Sequence, residues 1–469
     1  MEHFFTVLVI INILVFFYFI LVNGSYIVLI ILSYFQTKQS REKENLYELS
    51  GLYGTNLYRT VSILAPAFNE EQSVIESTRA LLNLQFSDYE VIVINDGSTD
   101  QTMQKLIDHF DLRIVERHVA KLIDCKPVKA IYGSRKYPKL IVVDKENGRK
   151  ADALNAGINV SRKDLICAVD SDSLLEADVL RRMMMAFTEN QEIIAVGGVV
   201  RVANGCSFRH GVVQNIRTPK SYFGRIQAVE YLRAFLFGRT GWDYLDSLLI
   251  ISGAFGVFDR KAVIKVGGYL HETVGEDMEL VVRLHRYHRE KGIPYRIRFL
   301  PEPVCWTEVP EDWQTLSRQR NRWHRGLADT LFRHRVMLFN PKYGRLGMAA
   351  MPFFLFVELI APVIELGGYL IFLLSYLIGA INITFFLLFL TAAILLGVIM
   401  SVLAVLIEEL TFRRYDRMWD VLILVVYAFL ENFGYRQIYA WWRFKGLIDY
   451  FKGDLEWGEM KRGGAFKVS

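Results

Sequence analysis

Asp170 and Asp172 stand two residues apart, directly behind the apolar run Leu165 to Val169. Two carboxylates that share a cleft repel each other and any anionic substrate, and a hard divalent cation, Mg2+ or Mn2+, resolves that conflict. Such an ion would neutralise charge on a departing diphosphate. An Asp-x-Asp triplet alone is more often a solvated turn; its place behind a buried strand favours the ligand reading. Asp96, in Asn95-Asp96-Gly97-Ser98, also follows an apolar run, and its competing role is that of a turn residue. Glu70 closes Pro66-Ala67-Phe68-Asn69-Glu70 and would face the same cleft, unless it only complements a helix start. Gly275-Glu276-Asp277 precedes an amphipathic pattern, Met278 to His288. A positioned carboxylate can take the proton of an attacking hydroxyl. Asp277 is the candidate, with a helix-start acid as the plainer alternative. Gln319-Arg320-Asn321-Arg322-Trp323 adds arginine, which suits phosphate, and an aromatic face, which suits the C–H surface of a sugar ring. The competing role for Trp323 is membrane-interface anchoring. No Walker A, HExxH or G-x-S-x-G motif occurs, and the nine histidines show no metal-ligand spacing.

The elements that must position these groups are legible as texture. Val61 to Pro66, Tyr89 to Ile94, Leu140 to Val143 and Leu165 to Val169 are Val/Ile/Leu-rich runs of strand length, as in a parallel sheet covered on both faces. Helical patterns lie between them, at Glu70 to Leu84, Thr99 to Phe110 and Lys150 to Val160. The β-α-β-α order predicts an α/β, Rossmann-like sheet, in which ligands bind outside the carboxyl ends of strands. Residues 222 to 240 are basic and amphipathic, equally suited to a membrane surface and to ordinary packing. Trp313 to Arg335 carries six arginines and two tryptophans. Nucleic acid is the lesser explanation for that pairing; anionic lipid and a diphosphate are the better partners beside membrane-length segments.

The apolar share of the 469 residues is 52% and the aromatic share 13%, concentrated at the two ends. Phe4 to Phe35 contains no charged residue, enough to cross a bilayer once and too little to cross twice. Its length and the leading Met1-Glu2-His3 favour an anchor over a cleavable leader. Lys38, Arg41 and Lys43 then place the chain from residue 38 onward in the cytoplasm by the positive-inside rule. Leu346 to Ile378 and Ile383 to Ile407 form a hairpin of spans, and Val421 to Leu430 is too short to cross, predicting a re-entrant or broken helix. Glu358 and Glu365, seven apart within a span, would face a wet interior; alternatively, Glu358 would sit near the headgroups and Glu365 would pair with an arginine elsewhere in the bundle. Four widely spaced cysteines read as reduced thiols.

The ordered set Pro66-Ala-Phe-Asn-Glu70, Asn95-Asp-Gly-Ser98, Lys150-Ala-Asp-Ala-Leu-Asn155, Asp170-Ser-Asp172, Gly275-Glu-Asp277 and Gln319-x-x-Arg322-Trp323 resembles the family 2 inverting glycosyltransferases. More narrowly, it is similar to the processive membrane synthases of cellulose, hyaluronan, chitin and poly-N-acetylglucosamine. The resemblance implies a GT-A domain over 60–310, with an anchor at 1–37 and a cytoplasmic linker at 38–59. Amphipathic interfacial helices would occupy 311–345, two spans plus a broken segment 346–442, and a cytoplasmic interfacial helix and basic tail 443–469. It implies that Glu70 and Asp96 contact uridine, Lys150 and Asp152 line the donor site, and Asp170 and Asp172 hold metal and donor. Asp277 would be the general base, with Gln319 and Arg322 on the diphosphate or acceptor and Glu276 and Trp323 at the acceptor. Trp457-Gly458-Glu459-Met460-Lys461-Arg462 is similar to a loop that closes over the nucleotide in hyaluronan synthases, with Lys461 or Arg462 on the diphosphate, although the spacing departs from that motif. Gly275 stands where the family has threonine, which would loosen the base loop. The implied partners are a UDP-sugar, a growing glycan or a lipid acceptor, and membrane lipid, with export or accessory subunits left open. Neither the donor's sugar nor the linkage is encoded in these motifs.

Overall fold

The computed structural model describes residues 2–50, 59–209, 212–381 and 383–454. The apolar runs form strands because a segment without a polar face must be covered on both sides. The strands are β1 (Val61–Ala67), β2 (Tyr89–Asp96), β3 (Leu112–Ile114), β4 (Val128–Ser134), β5 (Leu140–Lys145), β6 (Leu165–Val169), β7 (Ser173–Leu175), β8 (Ile193–Val202), β9 (Ser207–Arg209), β10 (Val212–Asn215), β11 (Phe255–Asp259) and β12 (Arg296–Thr307). Among the described residues, ten of them make one sheet in the order β3-β4-β5-β2-β1-β6-β11-β8-β12-β7, while β9 and β10 form a separate hairpin. The neighbours β5, β2, β1 and β6 run parallel, with Val61 opposite both Tyr89 and Leu165. β11 then pairs antiparallel with β6 and β8, so the sheet is mixed. The carboxyl ends of β1, β2 and β6 therefore share one edge, where Asn69, Asp96 and Asp170 stand.

A helix α1 (Glu2–Ser50) precedes the sheet, and α2 (Val74–Leu82), α3 (Thr102–Phe110), α4 (Arg149–Val160) and α5 (Val179–Glu189) pack among its strands. The helix expected from Glu70 begins later because Glu70 to Ser73 close a turn, with Ser73 N and Val74 N donating to the Glu70 carbonyl. Next come α6 (Tyr222–Tyr231), a π-helical stretch Leu232–Gly238, α7 (Arg239–Tyr244), α8 (Arg260–Lys265), α9 (Glu276–Lys291) and α10 (Trp313–Arg333). The basic segment 222–240 is packed: Ile226, Gln227, Val229, Glu230, Leu236 and Arg239 are buried.

The apolar C-terminal region comprises α11 (Met351–Phe353) between two π-helical stretches, then α12 (Ala361–Leu377), α13 (Ile383–Phe412), α14 (Met418–Leu430) and α15 (Tyr435–Phe451). Among the described residues, two helices, Thr6–Lys43 and Ile394–Phe412, are long and apolar enough to cross a membrane. The bent pairs Leu346–Leu359 with Ala361–Leu377, at 42°, and Met418–Leu430 with Tyr435–Phe451, at 64°, raise the number to as many as four. α1 continues as one helix beyond its apolar stretch, through residues 38–50. Its polar positions are used: Gln36 Nε2 donates to Asp243 Oδ2 at 2.7 Å, and Lys43 pairs with Glu189 at 2.8 Å. Arg201 of β8 and Glu408 of α13, both buried, pair at 2.5 Å and tie the apolar helices to the sheet.

Candidate active site

One cavity of about 2300 Å3 runs from the carboxyl edge of the parallel strands to the space between α1, α12, α13 and α15. Glu70, Asp96, Lys150, Asp170, Asp172, Glu276, Asp277, Gln319, Arg322 and Trp323 all line it. The sheet supplies the first wall. Asn69 adopts a left-handed backbone (φ 55°), and its Oδ1 accepts from Thr99 N at 2.9 Å, joining the loops after β1 and β2. Glu70 is buried, accepting from Ser73 Oγ at 2.6 Å and from Ser171 Oγ at 3.0 Å. Gly97 (φ 69°) is required, since a Cβ there would lie 2.7 Å from Asn147 N.

Behind Asp96 lies a residue that the motif pattern did not flag. Lys145, at the end of β5, is fully buried, and its ammonium sits 2.7 Å from Asp96 Oδ1 and 2.5 Å from Asp152 Oδ1. Asp96 also accepts from Gly148 N at 3.0 Å. Asp152, expected to line the donor site, lies behind the cavity wall. It accepts from Lys126 N at 3.0 Å and stands 3.3 Å from His271 Nδ1. One buried cation between two carboxylates fixes both, and removing it would leave uncompensated charges.

Asp170 and Asp172 meet Lys150 across the cleft, with Lys150 Nζ 2.5 Å from Asp170 Oδ1 and 3.6 Å from Glu276 Oε1. Burial works to depress the Lys150 ammonium, but Asp170, Glu276 and Asp277 together raise it above the usual lysine value. Burial, and then the Asp170 carboxylate, push Asp172 up to about 7, with Lys150 opposing and Glu308 adding to the rise. That electrostatic conflict is the chemistry of a donor set fitted to a divalent cation. Mg2+ commonly takes one or two carboxylates and completes its shell with water and substrate phosphate. Among the described residues, no three His, Cys, Asp or Glu side chains converge into a metal-binding cluster by themselves.

The opposite wall is built by α9 and α10. Asp277 Oδ2 accepts from Gly253 N at 2.9 Å and its Oδ1 from Met278 N at 2.8 Å, which holds the carboxylate at the start of α9. Burial pushes Glu276 up to about 6 against the opposing charge of Lys150. Gly275 packs directly against α10. A Cβ there would stand 2.8 Å from the Gly326 Cα on α10, and one on Gly326 would stand 2.9 Å from the Gly275 Cα. Paired glycines therefore allow the Asp277 loop and the Gln319–Trp323 helix to touch backbone to backbone. Gln319 is buried, and among the described residues its Oε1 has no hydrogen-bond partner. Burial lowers the Arg322 guanidinium, with Glu276, Asp170 and Asp277 opposing.

Trp323 is half-buried against Phe235, with ring centroids 5.8 Å apart. Arg320, fully buried, stacks 4.3 Å from the Trp323 ring and pairs with Glu230 at 2.8 Å. Neither Arg320 nor Glu230 stands out in the sequence as a site residue. The signal available was a buried-type acid, Glu230, within the apolar stripe of segment 222–240. Deeper in the cavity, Glu358 pairs with Arg443 at 3.0 Å and Glu365 with Arg436 at 3.6 Å. Trp457, Lys461 and Arg462 lie outside the described residues.

The sequence pattern described as "Glycosyl transferase family 2" matches residues 62–267, and that described as "Glycosyl transferase family group 2" matches residues 165–430. A poly-beta-1,6-N-acetyl-D-glucosamine synthase of Staphylococcus epidermidis is 27% identical over 273 residues, covering 58% of this chain. The match spans only 56% of that relative's own length. Probable glycosyltransferase YdaM of Bacillus subtilis is 27% identical over 322 residues, 68% of this chain and 65% of the relative. Among solved structures, a mannosyltransferase from Pyrobaculum calidifontis in complex with GDP-Man and Mn2+ shares the fold. It superposes with a TM-score of 0.51 at 16% identity, covering 87% of this chain and 99% of that one.

Proposed function

Because this chain belongs to glycosyl transferase family group 2 and its mixed sheet has the GT-A arrangement, we propose that it transfers a sugar from a UDP-sugar to the hydroxyl end of a membrane-associated glycan, with inversion at the anomeric carbon. The observation that carries this reading is one continuous cavity lined by Asp96, Asp170 and Asp172, by Asp277 and Trp323, and by Glu358, Glu365, Arg436 and Arg443 of the apolar helices. N-Acetylglucosamine is the sugar to test first, because the Staphylococcus relatives are named for a polymer of it.

In the proposed reaction Glu70 and Asp96 receive the nucleoside, with Asp96 held in place by Lys145. Lys150, Gln319 and Arg322 bind the diphosphate and the sugar; the unpartnered Gln319 Oε1 is an acceptor ready for a sugar hydroxyl. Trp323 and Glu276 hold the acceptor sugar, whose ring lies on the indole face. Asp277, fixed by Gly253 N, takes the acceptor hydroxyl proton as the oxygen attacks the anomeric carbon. The bond from that carbon to the diphosphate oxygen breaks on the opposite face, and its electron pair leaves with UDP. A divalent cation, Mg2+ or Mn2+, held by Asp172 and Asp170 supplies charge neutralisation on the diphosphate when bound. Lys38, Arg41 and Lys43 after the first span favour a cytoplasmic catalytic domain. The extension of the cavity between helices favours a growing polymer that leaves through them over a single transfer to a lipid.

Purified protein in nanodiscs, given Mg2+ or Mn2+ and a panel of radiolabelled UDP-sugars, tests the reading. High-molecular-weight product from one donor, lost with Asp277→Asn and with EDTA, is expected. A lipid-sized product would replace the polymer reading with the lipid one, and no UDP release from any donor would overturn both.

A further inference from the structure

Four of the arginines that line the cavity are matched to carboxylates. Arg320 pairs with Glu230 at 2.8 Å, Arg436 with Glu365 at 3.6 Å and Arg443 with Glu358 at 3.0 Å, and Arg233 pairs with Glu431. Arg239 differs. It lines the same cavity, is only 5% exposed, and among the described residues has no ion pair. Its Nη1 is buried without a hydrogen-bond partner. A buried guanidinium left in this state is costly unless something arrives to accept its N–H groups.

The surroundings say where that something would sit. The Arg239 guanidinium lies 4.2 Å from the centroid of the Phe235 ring, and that ring packs on Trp323. Arg239 thus stands at the far end of a row in which Arg320, Trp323, Phe235 and Arg239 succeed one another. Asp277 is near enough to favour its charged form, although burial still lowers Arg239 to about 10. The backbone holds the residue in place. It comes directly after the π-helical stretch Leu232–Gly238, a distortion often found at functional sites. Two residues later, Gly241 brings this helix against α1, where a Cβ would stand 2.6 Å from the Leu29 carbonyl oxygen.

We propose that Arg239 is a specificity residue that donates to the carbonyl oxygen of an N-acyl group on the acceptor sugar seated over Trp323 and Phe235. This rests on the transferase reading above. The chemistry selects a carbonyl. Arginine offers only donors, and a carbonyl oxygen only accepts, whereas a hydroxyl would use half its capacity. A carboxylated sugar is disfavoured because Glu276 and Asp277 line the same cavity and would repel it. A neutral acyl oxygen satisfies the guanidinium without adding charge beside the base.

The experiment measures KM for three β-linked trisaccharide acceptors with the full-length enzyme in nanodiscs and UDP-N-acetylglucosamine as donor. One is built of N-acetylglucosamine, one of glucose, and one carries a hexuronic acid at the accepting end. The N-acetylated acceptor should bind about tenfold or more tighter than the glucose one, the effect of one hydrogen bond to a charged group. Arg239→Met should bring the ratio of the two KM values near unity, and Arg239→Lys should retain part of it. Because the readout is a ratio within each enzyme, a general loss of activity cancels. A ratio near unity in the wild type, a wild-type ratio retained by Arg239→Met, or tightest binding of the hexuronic acceptor would each overturn the proposal. If Arg239→Met does not fold, the wild-type ratio and Arg239→Lys decide. No UDP release by wild-type enzyme is a different failure, which removes the transferase reading and this inference with it.

Discussion

Replacing Gly275 by alanine should separate the two walls of the active site. The added Cβ would meet Gly326 Cα at 2.8 Å, its carbonyl carbon at 3.1 Å and its oxygen at 3.2 Å. All three are backbone atoms of a helix, so no side chain can rotate away. Reaching the 3.4 Å at which ordinary contact begins requires the loop or α10 to retreat by about 0.6 Å. Overpacking of this kind costs about 1–3 kcal/mol of stability. The catalytic effect should be larger than that suggests, because Asp277 lies two residues from the contact and Trp323 three residues before Gly326. A displacement near 1 Å can cost roughly 100-fold in rate, so kcat/KM for the acceptor should fall about 10- to 100-fold. Gly326→Ala, with its Cβ 2.9 Å from Gly275 Cα, should act in the same way. UDP release against acceptor concentration, together with a thermal melt in the same nanodiscs, measures both effects. Either variant with unchanged melting temperature and unchanged kcat/KM would refute the claim that backbone contact sets the distance between base and acceptor floor.

Three further outcomes are expected. Lys145→Met leaves Asp96 and Asp152 buried without their shared cation, which should cost about 3–5 kcal/mol and weaken donor binding; a melt and a donor KM equal to wild type would contradict this. Arg320→Met removes the stack on Trp323, and a desolvated cation–π contact near 2 kcal/mol corresponds to an acceptor KM raised about 30-fold. The donor KM should move less, and an equal shift in both would assign Arg320 a general structural role. Glu276 is raised from 4.5 to about 6 in the folded protein, so folding takes up a proton between those values. Its contribution to stability is therefore present at low pH and lost as pH rises through about 6. Glu276→Gln should remove that part of the fall in melting temperature of the unliganded protein between pH 5 and 7.5, and an unchanged pH profile would refute it.

The sequence alone located the four neighbouring parallel strands β1, β2, β5 and β6, the places where carboxylates leave them, and the apolar lengths at either end, but not the antiparallel strands that make the sheet mixed. Each of these is a local property: a buried strand needs a continuous apolar run, and an acid directly behind it can only stand at the strand's carboxyl edge. Pairings across the chain were not legible. Asp152 looks like a donor-site residue in its motif, yet it turns to Lys145, because the packing of α4 on the sheet decides which helix face meets the cleft. Gly275 reads as a lost threonine until Gly326, 51 positions later, is found against it. Arg239 is one of many arginines in the sequence, and its role depends on which carboxylates the others have already taken. Glu230 is held by Arg320, and Glu431 by Arg233. Hydrogen bonds and ion pairs act over a few ångströms in space, so only the tertiary structure shows which buried charge has been left without a partner.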